Sequence, residues 1–199
     1  MFAEIFLRLV LAVILTFAGS LWIDKLYSRS NELTFPEKIS DRSKFRKPIL
    51  FFSLAILFNM TDEKFLAAAI FLLVLMTLTD FEQYMLFDAM TFPLAIIGVI
   101  FSGQESFLDC MTAAALGGGI FFLLAIISKG SLGGGDVKLI FALGFWFGTE
   151  KLLSVVIFGT IFGGLAALIM ILTKQKDSKS YFAYGPYFAL TAIYFLLAP

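Results

Sequence analysis

Apolar stretches near residues 4–23, 48–60, 65–79, 88–102, 109–128, 136–149, 151–172 and 184–198 leave this chain almost nothing to place on a wet surface. Charged residues make up 15% of its 199 positions, against roughly 25% in a soluble domain. The stretches are continuous and do not alternate with period two, which favours helices strongly over a barrel. Several fall short of the ~20 residues of a straight span. The weakest are Pro48 to Met60 and Val137 to Gly148, which are expected to tilt or to be extended by polar turns enclosed in protein. The expectation is an all-α, polytopic membrane protein of about eight transmembrane helices. It forms a single membrane-embedded domain over residues 1–199, with one short hydrophilic loop at 24–47.

The distribution of positive charge sets the expected orientation. With the N-terminus outside, every one of the 15 Lys and Arg residues except Arg8, Lys64 and Lys151 falls in an inside segment: 24–47, 80–87, 129–138 or 173–183. Residues 1–23 are expected to be a retained span and not a cleaved signal. Glu4 sits in what would be the basic leader, and cleavage would require export of the basic stretch that follows. A net charge of zero argues against nucleic-acid binding, which needs a basic face. With no His and one Cys, Cys110, neither an internal disulfide nor a His/Cys zinc site can be assembled. Cys110 is expected near the outer face.

Against this background two acids stand out. Asp80 closes the run Phe65 to Thr79, and Asp136 ends Gly133-Gly134-Gly135-Asp136, a Gly-x-Gly-Asp pattern. A carboxylate at membrane depth is expensive and marks a functional site by default. The orientation places both at the same, cytoplasmic, side. Two such carboxylates sharing a proton can activate a water, which is the chemistry of an aspartyl protease. Gly-x-Gly-Asp alone is a weak pattern, since a turn with Asp136 capping the next helix would also produce it. The glycines are expected to permit positive φ and close approach of an extended substrate, which makes Gly133 and Gly135 candidate substrate-binding positions together with Lys138. Nearby, Glu82 is expected to be a solvated or substrate-facing charge, and Asp88 to be the N-cap of the following helix or a substrate contact. Gly117-Gly118-Gly119, inside an apolar segment, reads as close helix packing.

Several motifs, in order, resemble the bacterial type IV prepilin peptidases, bifunctional leader peptidase and N-methyltransferase enzymes. Asp80 to Asp88 followed by Thr91-Phe92-Pro93-Leu94 resembles the first aspartate motif of that family. Gly133 to Leu139 with Ala142-Leu143-Gly144 resembles the second, Tyr184-Gly185-Pro186-Tyr187 the closing segment, and Gly19-Ser20 the opening one. The resemblance implies that Asp80 and Asp136 are the catalytic pair. It further implies that prepilins or pseudopilins are the substrates, that the bacterial cytoplasmic membrane is the location, and that proteolysis needs no cofactor. S-adenosylmethionine is implied wherever methyl transfer is retained. Two departures are visible: loop 24–47 lacks the paired Cys-x-x-Cys of larger members, and Asp88 follows Phe87 where the family has Pro. Other readings remain open at this level. They are an archaeal preflagellin-peptidase-like protease, a presenilin-like protease (whose Pro-Ala-Leu is absent), a small proton-coupled transporter, and a non-catalytic subunit of a secretion assembly.

Overall fold

The computed structural model of the chain describes residues 2–102, 106–128, 132–174 and 182–198, and among these every regular element is helical. The helices are α1 (Phe2–Arg29), α2 (Ile39–Arg42), α3 (Arg46–Leu57), α4 (Lys64–Gln83), α5 (Asp88–Phe101), α6 (Phe107–Ile127), α7 (Gly134–Leu172) and α8 (Gly185–Leu197), with a 3-10 turn at Pro36–Lys38. Four of them, α1, α4, α6 and α7, are long and apolar enough to cross a membrane. Their flanks carry large apolar side chains turned outward, such as Phe122 and Ile127, as helices in lipid require. This is a helical membrane protein.

The sixth and seventh stretches, expected as separate spans, run as two helical segments that meet without a loop inside α7. It breaks at Gly148, where φ is 64° and ψ is −174°, a backbone region essentially reserved for glycine. The restart of the helix is capped from α6: Asp109 accepts from the Thr149 backbone N–H at 3.0 Å and from its hydroxyl at 2.6 Å. A carboxylate at a helix N-terminus satisfies the free N–H groups there. The break therefore has its own cap without a loop.

Packing fixes the rest. Helix α4 is the innermost, with 67% of its apolar window buried against 17% for α7. It packs on α5 and α8, while α7 packs on α5, α6 and α8, and α1 on α3. Small residues allow the closest approach. A Cβ at Gly144 would lie 2.3 Å from Ala114 Cα, and one at Gly117 would lie 2.7 Å from Leu152, so α6 and α7 touch almost backbone to backbone. Gly19 similarly admits Leu75 of α4 at 2.9 Å. The result brings the end of α4, the start of α7 and the start of α8 together at one end of the bundle.

Candidate active site

Helix α4 ends because Tyr84 adopts a left-handed conformation, φ 55° and ψ 40°, and its N–H returns to the Asp80 carbonyl at 2.9 Å. This αL cap stops the helix one turn after Asp80 and turns the chain into Met85 and Leu86. Helix α7 begins after Gly133, which is extended (φ −69°, ψ 141°), and so holds Asp136 in its first turn. Helix α8 begins at Gly185-Pro186, where proline at the head of a helix costs no hydrogen bond.

These three ends converge on two carboxylates. A Cβ built on Gly185 would lie 2.7 Å from Asp80 Oδ2 and 3.3 Å from Asp136 Oδ1, so the two oxygens flank the same bare Cα. The Gly185 N–H faces the Asp80 carboxylate and the Gly133 N–H faces that of Asp136. Asp80 is 5% exposed and Asp136 is half-buried. Among the described residues neither carboxylate has a cationic partner. Beside them opens a cavity of about 200 Å³ lined by Asp80, Tyr84, Met85, Leu86 and the Gly133–Asp136 stretch. Two carboxylates in one poorly solvated space cannot both stay ionised at little cost. A larger groove of about 390 Å³ between the second half of α7 and α8 is lined by Phe158, Phe162, Leu190 and their neighbours. Its lining contains no carboxylate and neither member of the pair.

Of the residues singled out in the sequence, Gly133 and Gly135 line the cavity, but not for the reason expected. Neither has positive φ, which among described glycines occurs at Gly148 alone. Gly135 is bare because Leu86 presses on it: a Cβ there would lie 2.9 Å from Leu86 Cβ. Glu82 is corrected outright. It is neither solvated nor turned to the cavity; it is buried at 4% exposure and bonded to Arg46 and Tyr27. Asp88 is not an N-cap. That position belongs to Phe87, and the Asp88 carboxylate pairs with Lys138 at 2.7 and 2.8 Å. The Asp88–Lys138 pair stands outside the lining of the cavity. Sequence reasoning did not place Gly185 in the site; its signal was a Gly-Pro at the head of an apolar helix. Nor did it find Tyr84 and Leu86.

Comparison with known proteins gives the family. The chain belongs to the type IV leader peptidase family, whose family model matches residues 66–168 and so takes in both Asp80 and Asp136. Among similar proteins are prepilin leader peptidase/N-methyltransferases of Neisseria gonorrhoeae, 33% identical over 122 residues (57% of this chain, 41% of the relative), and of Escherichia coli strain K12, 30% identical over 123 residues (58% and 54%). The Pseudomonas aeruginosa protein is 29% identical over 126 residues (59% and 43%). The chain spans about half the length of the curated relatives it matches. No solved structure gives a significant match.

Proposed function

We propose that this protein is a membrane aspartyl endopeptidase that removes the basic leader from type IV prepilins or pseudopilins at the cytoplasmic face of a bacterial inner membrane. The observation that carries the reading is the convergence of Asp80 and Asp136 on Gly185, with no cationic partner for either among the described residues. One carboxylate takes a proton from a water as that water adds to the scissile carbonyl. The other, protonated, donates to the carbonyl oxygen. Collapse of the tetrahedral adduct returns a proton to the departing amine, and the pair is restored with one shared proton. The orientation that puts the N-terminus outside, and the count of about eight spans, belong to the same reading. The orientation rests on the bias of Lys and Arg, and the count on the apolar stretches of the sequence.

The apolar part of such a substrate remains in lipid, while its charged leader stays in water beside the cavity. A second activity, N-methylation of the newly exposed amine with S-adenosylmethionine as co-substrate, is suggested by the names of the relatives. The test is to incubate the purified protein with a prepilin and S-adenosylmethionine and to follow products by mass spectrometry. Loss of the leader mass is the expected result, and an added methyl is read separately. An intact prepilin after prolonged incubation in lipid would refute the peptidase reading.

A further inference from the structure

Each residue from Phe81 to Tyr84, the stretch directly after Asp80, is gripped from α1, from α3 or from the segment that joins them. Arg42 donates to the Phe81 carbonyl at 2.9 Å. The Gln83 amide pairs with both backbone groups of Phe35, at 2.8 and 3.2 Å. The Tyr84 ring stands edge-on to Phe35, and the Arg42 guanidinium lies over both rings.

The strongest grip is on Glu82. Arg46, the first residue of α3 and 2% exposed, donates from Nε at 2.8 Å to Glu82 Oε1 and from Nη2 at 2.6 Å to Oε2. The Tyr27 hydroxyl adds a bond to Oε2 at 3.0 Å. Arg46 also reaches Asp24 and the Ser20 carbonyl of α1. One guanidinium thus ties α1, α3 and the last turn of α4 together. A buried ion pair returns little net stability, because desolvation offsets the attraction. What this one supplies is direction. Residues two apart on a helix point about 200° apart, so Arg46 holds the side of α4 opposite to Asp80. A turn free to rotate or fray would carry Asp80 away from Gly185 and Asp136.

We propose that Arg46 and Glu82 are positioning residues, which hold the last turn of α4 in the rotation that brings the Asp80 carboxylate against Gly185 and Asp136. This role rests on the peptidase reading of the pair. It is tested in the full chain with Arg46→Met and Glu82→Met combined, since apolar replacements of both partners leave no buried charge unpaired. With prepilin as substrate, the double variant is expected to keep a cooperative thermal transition close to the parent's and the parent's KM. Its kcat is expected to fall roughly 10- to 100-fold, as a small misplacement of a reacting group costs. A purely structural pair would lower Tm and leave the kcat of the folded fraction intact, and that result overturns the proposal, as does parental kcat at parental Tm. If the double variant shows no cooperative unfolding, Arg46→Lys decides. It keeps the charge but loses the two-pronged bond, so a reduced kcat at parental KM supports the role and a parental kcat refutes it. Asp80→Asn is assayed alongside. Should it cleave like the parent, both the peptidase reading and this role fall. Should it be inactive while the double variant is fully active, only this role falls.

Discussion

Asp80 and Glu82 share the last turn of α4, are both buried, and are treated in opposite ways. Glu82 meets a guanidinium and a tyrosine hydroxyl, so every oxygen has a donor and its charge is spent on holding helices together. Asp80 meets Asp136 and a backbone N–H. A second acid is a poor structural partner, because it raises the cost of keeping either one ionised. The contrast separates the two purposes a buried acid can serve: one is neutralised by a cation, and the other, on the function proposed above, is left to exchange a proton.

The contrast breaks most sharply by exchanging each acid for its amide. Asp80→Asn and Asp136→Asn should each remove cleavage, a loss of at least roughly 10²- to 10⁴-fold for a lost acid or base. Thermal stability should stay close to the parent's, since an amide of the same shape replaces a carboxylate that has no cationic partner among the described residues. Glu82→Ala should instead lower stability. It leaves buried Arg46 with only the half-exposed Asp24 as an ionic partner, at a cost of up to roughly 3–5 kcal/mol, seen as a lower Tm. Near-parental turnover by either Asn variant would show that the two acids are not a working pair.

The next largest effect concerns the bare Cα between the carboxylates. Gly185→Ala adds a methyl group 2.7 Å from Asp80 Oδ2 and 3.3 Å from Asp136 Oδ1. Alanine favours the helix, so α8 should remain, while one carboxylate must swing away. Cleavage should drop about 10²-fold, the scale of a misplaced reacting group, with little change in Tm. Unaltered cleavage would mean that the approach of the two acids to Gly185 has no part in the reaction.

How much of this could be read from the chain depends on the distance over which the controlling contact acts. Runs such as 109–128 become helices because lipid leaves the backbone no other partner, and each apolar stretch accordingly contains one. Asp136 and Asp80 were legible because an acid at the end of an apolar run has few bland explanations. Glu82 was not. Helical periodicity says that it opposes Asp80, but nothing local says whether that side is water or protein. The answer lies in Arg46, 36 residues away in sequence. The same holds for Gly135, whose bareness answers to Leu86, and for the break in α7. There Gly148-Thr149-Glu150-Lys151 looks like a loop until Asp109 is seen to cap the restart.

Leu86 offers a gentler change on the cavity wall. It touches Gly135 on one side, and its Cδ1 lies 3.1 Å from where a Gly185 Cβ would be. Gly135→Val would press on Leu86 from 2.9 Å. Overpacking of this kind costs roughly 1–3 kcal/mol, so both Tm and cleavage should fall, the latter through a cavity narrowed by the displaced leucine. Leu86→Ala in the same chain should restore part of the cleavage by making room. An inactive Gly135→Val that Leu86→Ala leaves unimproved would show that the substrate itself, and not this wall, needs the bare glycine.

The smallest effect belongs to the third acid of the stretch, and it tests whether the partner alone decides an acid's role. Asp88 pairs with Lys138 as Glu82 pairs with Arg46, but here both side chains are about half exposed, 48% and 51%. Water already solvates each charge, so the pair gains little from contact and salt screens what it gains. Asp88→Asn should therefore change stability by no more than about 1 kcal/mol and leave kcat near the parental value. The measurement is Tm and cleavage of the parent and the variant at low and high ionic strength. The small difference between them should shrink as salt is added. A collapse of kcat instead, independent of salt, would place Asp88 with Asp80 and Asp136 among the reacting groups and would break the rule that a cationic partner marks a structural acid.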